Sequence, residues 1–137
     1  MARKLEQRTL EIPKENWMSF LEMLNRHAAD RPLRLEVVNR ELGDQEMGDY
    51  LPFRGINFEA KGSDRGDLLI ITGSDRGELT HRIARPTRIY ILHNEAAELE
   101  LVTIEEADNG KTLMYFEHLP ALPEELHQDP QQHASPA

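Results

Sequence analysis

Arg76, Arg82, Arg85 and Arg88, with His81 among them, form the densest basic segment in the acidic part of this chain. A guanidinium presents a planar fork of N–H donors that fits a carboxylate or a phosphate through two parallel hydrogen bonds. An imidazole beside it titrates close to neutral pH. Such a cluster could grip a phosphate, a carboxylate or an acidic partner. It could equally pair with carboxylates on its own surface. These five residues are the binding surface that the sequence singles out.

Other chemistry is thinner. The pentapeptide Gly62-Ser63-Asp64-Arg65-Gly66 recurs as Gly73-Ser74-Asp75-Arg76-Gly77. Glycine N–H groups with Arg65 or Arg76 could cradle an anion, but Gly, Ser and Asp are also the residues that tight turns prefer. About six strand residues separate the copies, roughly 20 Å, so the two loops are expected at opposite ends of a sheet. His27, His81, His93, His118, His127 and His133 form no HExxH and no close His pair. No P-loop, Rossmann glycine motif or nucleophile elbow is present. No catalytic residue, cofactor or metal site is assigned. Tyr50, Phe53, Phe58 and Tyr115 could stack bases, but suit a core better.

The elements that must position these groups are readable from periodicity. Pro13 opens a helix, since its missing N–H costs nothing in a first turn. Trp17, Phe20, Leu21 and Leu24 then recur at helical spacing, giving an amphipathic helix over about residues 14–29. Leu33, Leu35 and Val37 alternate as a half-buried strand. A longer strand at about 46–60 shifts its apolar set from Leu51 and Phe53 to Ile56 and Phe58, a phase slip that predicts a β-bulge or a sharp bend at Gly55. Asp67–Thr72 is the most apolar run and reads as a central strand. Leu79 and Ile83, four apart, suggest a short helical turn over 78–87, ended by Pro86. Strands follow at 88–92, 98–105 and 111–117, the last two joined by a tight turn at Asn109-Gly110.

One α+β domain is expected: an N-terminal amphipathic helix packed on a curled five- or six-stranded antiparallel sheet. The order of elements also resembles the Sm-like and SH3-like small barrels, with closure of the sheet left open. The expected division is an N-terminal segment 1–12 with an edge strand, the domain at 13–119, and a disordered Pro-, Gln- and His-rich tail at 120–137.

Composition narrows the function classes. The chain has 137 residues, no cysteine and a net charge of −9. Residues 1–40 carry eight Lys/Arg against six Asp/Glu, and residues 41–137 carry eight against nineteen. That acidity repels phosphate backbones and disfavours nucleic acid. Thiol chemistry is excluded. Met1-Ala2-Arg3-Lys4 is followed by no apolar signal region, and no run approaches the length of a membrane span. A cytoplasmic location without membrane contact is expected.

Several motifs together resemble a small bacterial protein family filed as a domain of unknown function. They are Trp17 at the helix start, Leu42-Gly43-Asp44-Gln45 and Leu51-Pro52-Phe53-Arg54-Gly55-Ile56-Asn57-Phe58. Further on come Arg85-Pro86-Thr87-Arg88-Ile89 and Leu119-Pro120. The resemblance spans most of residues 13–120 and implies no reaction. The leading functional expectation is a non-catalytic protein-interaction or accessory module, with a protein partner or a homodimer formed through a sheet edge. The alternatives are a small-barrel ligand or nucleic-acid binder using the Arg76–Arg88 segment, and an enzyme with an unrecognised site.

Overall fold

The computed structural model describes residues 8–39, 43–60, 66–74, 76–95 and 98–119. The tail expected to be disordered and the first Gly-Ser-Asp-Arg copy lie outside them. The elements run β1 (Arg8–Ile12), a 3-10 turn (Lys14–Asn16), α1 (Trp17–His27), β2 (Pro32–Asn39), β3 (Gly43–Phe58), β4 (Leu68–Ser74), β5 (Gly77–Ile83), β6 (Pro86–His93), β7 (Leu99–Glu106) and β8 (Lys111–Leu119).

The apolar stripe forms as its spacing dictates. Trp17, Phe20, Leu21 and Leu24 are all buried on one side of α1. The indole N–H of Trp17 donates to Ile12 O at 3.0 Å, which ties the helix to β1. Its ring stacks on Phe58 with centroids 6.4 Å apart. The helix is not the N-terminal element: it follows β1, which lies at one margin of the sheet.

All eight strands join one antiparallel sheet in the order β1-β6-β7-β8-β2-β3-β4-β5. Five or six strands were expected. Part of the difference is β5, which occupies the segment read as a helical turn. Leu79 and Ile83 satisfy the four-residue spacing, but they also satisfy period two with His81 between them, and the ladder to β4 decides. The run expected to be central, β4, lies between β3 and β5, one place from the margin. It is still deeply buried, with Leu68 and Ile70 fully enclosed.

Consecutive strands β5 and β6 stand near opposite ends of that order, joined only through Ala84 and Arg85. Three Cα steps reach at most about 11 Å. The sheet must therefore curl until its two sides approach, around a single core that includes Phe20, Phe53, Ile56 and Ile104. Among the described residues it does not close: β1 and β5 share no ladder, so the sheet is an open curl and not a closed small barrel.

The expected bulge is present. Register between β3 and β4 slips between Phe53 and Gly55, which lets both Phe53 and Ile56 face the core. The side chain of Asn25 on α1 brackets this point. Its Oδ1 accepts from Ile56 N–H at 2.7 Å, and its Nδ2 donates to Ile56 O at 3.0 Å. The β7–β8 hairpin also forms at Asn109, which adopts φ 73°, while Gly110 N–H donates to Asp108 Oδ1 at 2.9 Å.

Candidate functional site

β5 is built by its flanks. Gly73 at φ 141° and Gly77 at φ 151° bracket the turn from β4. A Cβ on Gly73 would lie 2.3 Å from Gly77 O and 2.7 Å from Glu78 Cα, so only glycine allows the two strands to approach this closely. Arg76 sits at this tip, its backbone N–H donating to Ser74 Oγ at 3.2 Å.

Beyond the tip, β5 pairs with β4 alone among the described residues. Alternation puts Glu78, Thr80 and Arg82 on one face and Leu79, His81 and Ile83 on the other. Ile83 is buried and His81 half-buried, while Gly77 to Thr80 and Arg82 are exposed. Leu79 leaves 57% of its surface in solvent. Every second residue of an edge strand turns its N–H and C=O away from the sheet. Among the described residues, the outer margin of β5 thus offers a row of main-chain donors and acceptors that no strand pairs.

The inner face of β5 lies over the curl. His81 Nε2 and Thr112 Oγ1 of β8 are hydrogen-bonded at 3.1 Å. Burial holds the His81 pKa below its ordinary value, because the charged imidazolium would be poorly solvated there. A cavity of about 90 Å³ opens beside it, lined mainly by Leu33, Leu35, Leu51, Thr72 and Leu79.

The corner between β5 and β6 is held by one carboxylate. Arg85 takes φ 48°, a left-handed conformation that costs a non-glycine residue energy. Asp67, only 7% exposed, accepts the Arg85 backbone N–H at 3.0 Å. It also accepts Arg82 Nη1 at 3.3 Å, while Arg82 Nη2 stands 4.0 Å from Glu59. Ala107 N–H donates to Arg85 O at 3.1 Å, fixing the other side of the corner. Glu106 is near this group, and its pKa is raised to about 6 by burial, then by the charge of Asp108, a hydrogen bond with Asp108 and the charge of Asp67.

The five residues singled out in the sequence are thus divided. Arg76 is at one end of β5 and Arg85 at the other, roughly 20 Å along a seven-residue strand. His81 and Arg82 point to opposite faces between them. Arg88 lies past the corner on β6, its guanidinium donating to Tyr90 Oη at 3.1 Å. Sequence proximity did not make them one patch. Asp67 was missed as a site residue because it reads as the polar start of an apolar run. The exposure of Leu79 carries no local signal at all.

Among the described residues, no group of three or more His, Asp or Glu side chains could hold a metal ion. Among the same residues, no helix is long and apolar enough to cross a membrane.

No solved structure matches the chain. An uncharacterized protein of Aquifex aeolicus (strain VF5) is 30% identical over 115 residues, covering 84% of this chain and 96% of its own length. A family model matches residues 8–125, which span all of the described fold: the chain belongs to the family of unknown function DUF5335.

Proposed function

We propose that the protein is a non-catalytic protein-interaction module that takes up an extended segment of a partner along the outer margin of β5. The observation that carries this reading is an edge strand that is exposed over most of its length, with Leu79 beside an apolar cavity. Main-chain hydrogen bonds would supply affinity and the cavity would select a side chain, as in other strand-addition sites. The reactive-looking groups nearby have structural partners. Asp67 holds the corner backbone and Arg82, and His81 is bonded to Thr112. That division of labour supports recognition over reaction. The scattering of the arginines, in a chain of net charge −9, supports a protein partner over a phosphate backbone.

The test blocks the edge. Of two adjacent strand residues, one must turn its amide outward, so Leu79→Pro and Thr80→Pro include one variant that keeps the β4 ladder and spoils the margin. Circular dichroism identifies the folded one. A protein retained by the native chain in affinity purification and lost from that variant is the expected result. Equal retention by both refutes the edge. No partner at all, together with a strictly monomeric native chain, refutes the interaction reading.

A further inference from the structure

The chemistry of β5 specifies a particular occupant, and this inference rests on the edge reading above. We infer that the segment taken up by β5 is β5 of a second copy, running antiparallel about a two-fold axis at Thr80.

The strand spans Gly77–Ile83, and its midpoint is Thr80. Pairing residues whose numbers sum to 160 matches the strand end to end with no overhang. It also pairs even positions with even and odd with odd, so outward-facing amides of one copy meet outward-facing carbonyls of the other. In this register Glu78 lies opposite Arg82 of the second copy, and Arg82 lies opposite its Glu78. The pairs are on one face of the ribbon, where cross-strand opposite charges attract. Shifting the pairing by two residues per strand brings Glu78 against Glu78, or Arg82 against Arg82, which like-charge repulsion disfavours. A shift of one residue per strand leaves Glu78 opposite Thr80 or Ala84 and Arg82 opposite Arg76 or Thr80, so neither charge gains an opposite partner. The charge pattern therefore selects one register among the neighbouring ones.

The other face agrees. Leu79 of each copy falls opposite His81 of the other, and the exposed leucine is covered at the cavity mouth. Arg82 keeps its bond to Asp67, because a guanidinium has five donors arranged around a planar fork. The contact is isologous, so a pair is a closed assembly at this margin.

The test is light scattering after size exclusion across a concentration series, at low and moderate salt. The native chain is expected to dimerise. Glu78→Arg should weaken the dimer by roughly tenfold or more, since it turns two attractive cross-strand pairs into repulsive ones. Arg82→Glu should do the same, and an equimolar mixture of the two variants should recover a heterodimer with both pairs restored. Arg82 also holds Asp67, so that variant alone can lose its fold. A second probe avoids this. The chain has no cysteine, and directly opposed Cα atoms of an antiparallel pair are about 4.5–5.5 Å apart, within disulfide reach. Thr80→Cys should cross-link on mild oxidation, and Asp108→Cys, on the β7–β8 turn, should not. A monomeric native chain, a dimer indifferent to Glu78→Arg, or equal cross-linking of the two cysteine variants overturns the self-pairing. A monomer that still captures a different protein through β5 overturns only the self-pairing and leaves the edge reading standing.

Discussion

Replacing Asn25 with alanine tests how the helix is fastened to the bulged strand. Its side chain makes a reciprocal pair of hydrogen bonds to the main chain of Ile56, at 2.7 and 3.0 Å. Ile56 is fully buried, and its ladder partner is the equally buried Ile70. A typical intramolecular hydrogen bond contributes about 1 kcal/mol net, but leaving a buried group unsatisfied costs about 1–3 kcal/mol. Water reaches this half-buried site in part, so the two bonds together should be worth about 2–3 kcal/mol. For a domain of this size that is a fall in Tm of roughly 10 °C. Urea denaturation of Asn25→Ala against the native chain measures it, with the midpoint shifting and the slope unchanged. Asn25→Asp separates the halves: it keeps the acceptor for Ile56 N–H and sets a carboxylate against Ile56 O. It should therefore be at least as damaging as alanine above pH 5. Gly55→Ala is the control, because its new Cβ would sit 3.5 Å from Asn25 Oδ1, an ordinary contact. A loss below about 0.5 kcal/mol for Asn25→Ala, or a larger loss for Gly55→Ala, would refute the view that this amide fastens α1 to β3.

Three further outcomes are expected. The Glu106 pKa is raised to about 6 from 4.5, so the fold holds this proton more tightly than the unfolded chain. Its contribution is complete below about pH 4.5 and is lost as pH rises through 6; Glu106→Gln should therefore gain Tm relative to the native chain across that window. The His81 pKa is lowered by burial, so stability from the neutral ring is present above about pH 6.5 and lost as pH falls through the folded value. In an NMR titration the His81 ring should change charge below the ordinary imidazole value of about 6.5, and a midpoint at or above that value would contradict the packing. Gly73→Ala drives a Cβ into Gly77 O and Glu78 Cα at a positive φ, and should cost at least about 1–3 kcal/mol. It should also release the β5 amides to rapid exchange.

Much of the local structure was legible because one side of each element is buried. Trp17, Phe20, Leu21 and Leu24 can share a core only on a helix, and the switch from Phe53 to Ile56 can keep both inside only across a bulge. Asn109-Gly110 announced its hairpin through tolerance of positive φ. β5 was illegible for the complementary reason. An edge strand exposed on one face and roofing a cavity on the other has no clean alternation, and Leu79 with Ile83 fits either period. The order of strands was equally hidden. Nothing near Arg85 reveals that the chain crosses there from one side of the sheet to the other. The arginine segment looked like a patch for the same reason: the corner and the buried Asp67 that divide it are products of pairings many residues apart.

The ladder between β2 and β8 has a consequence for assembly. Leu33 faces Phe116, so the ladder that stitches β2–β5 to β6–β8 has to wait for β8, the last of the described strands. Until β8 emerges from the ribosome, β2 has β3 on one side and lacks its neighbour on the other. Late closure of distant strands is slow and exposes such nascent chains to mispairing. Pulsed hydrogen exchange during refolding should accordingly find the β2 amides that face β8 among the last to be protected, with the β7–β8 hairpin ahead of them.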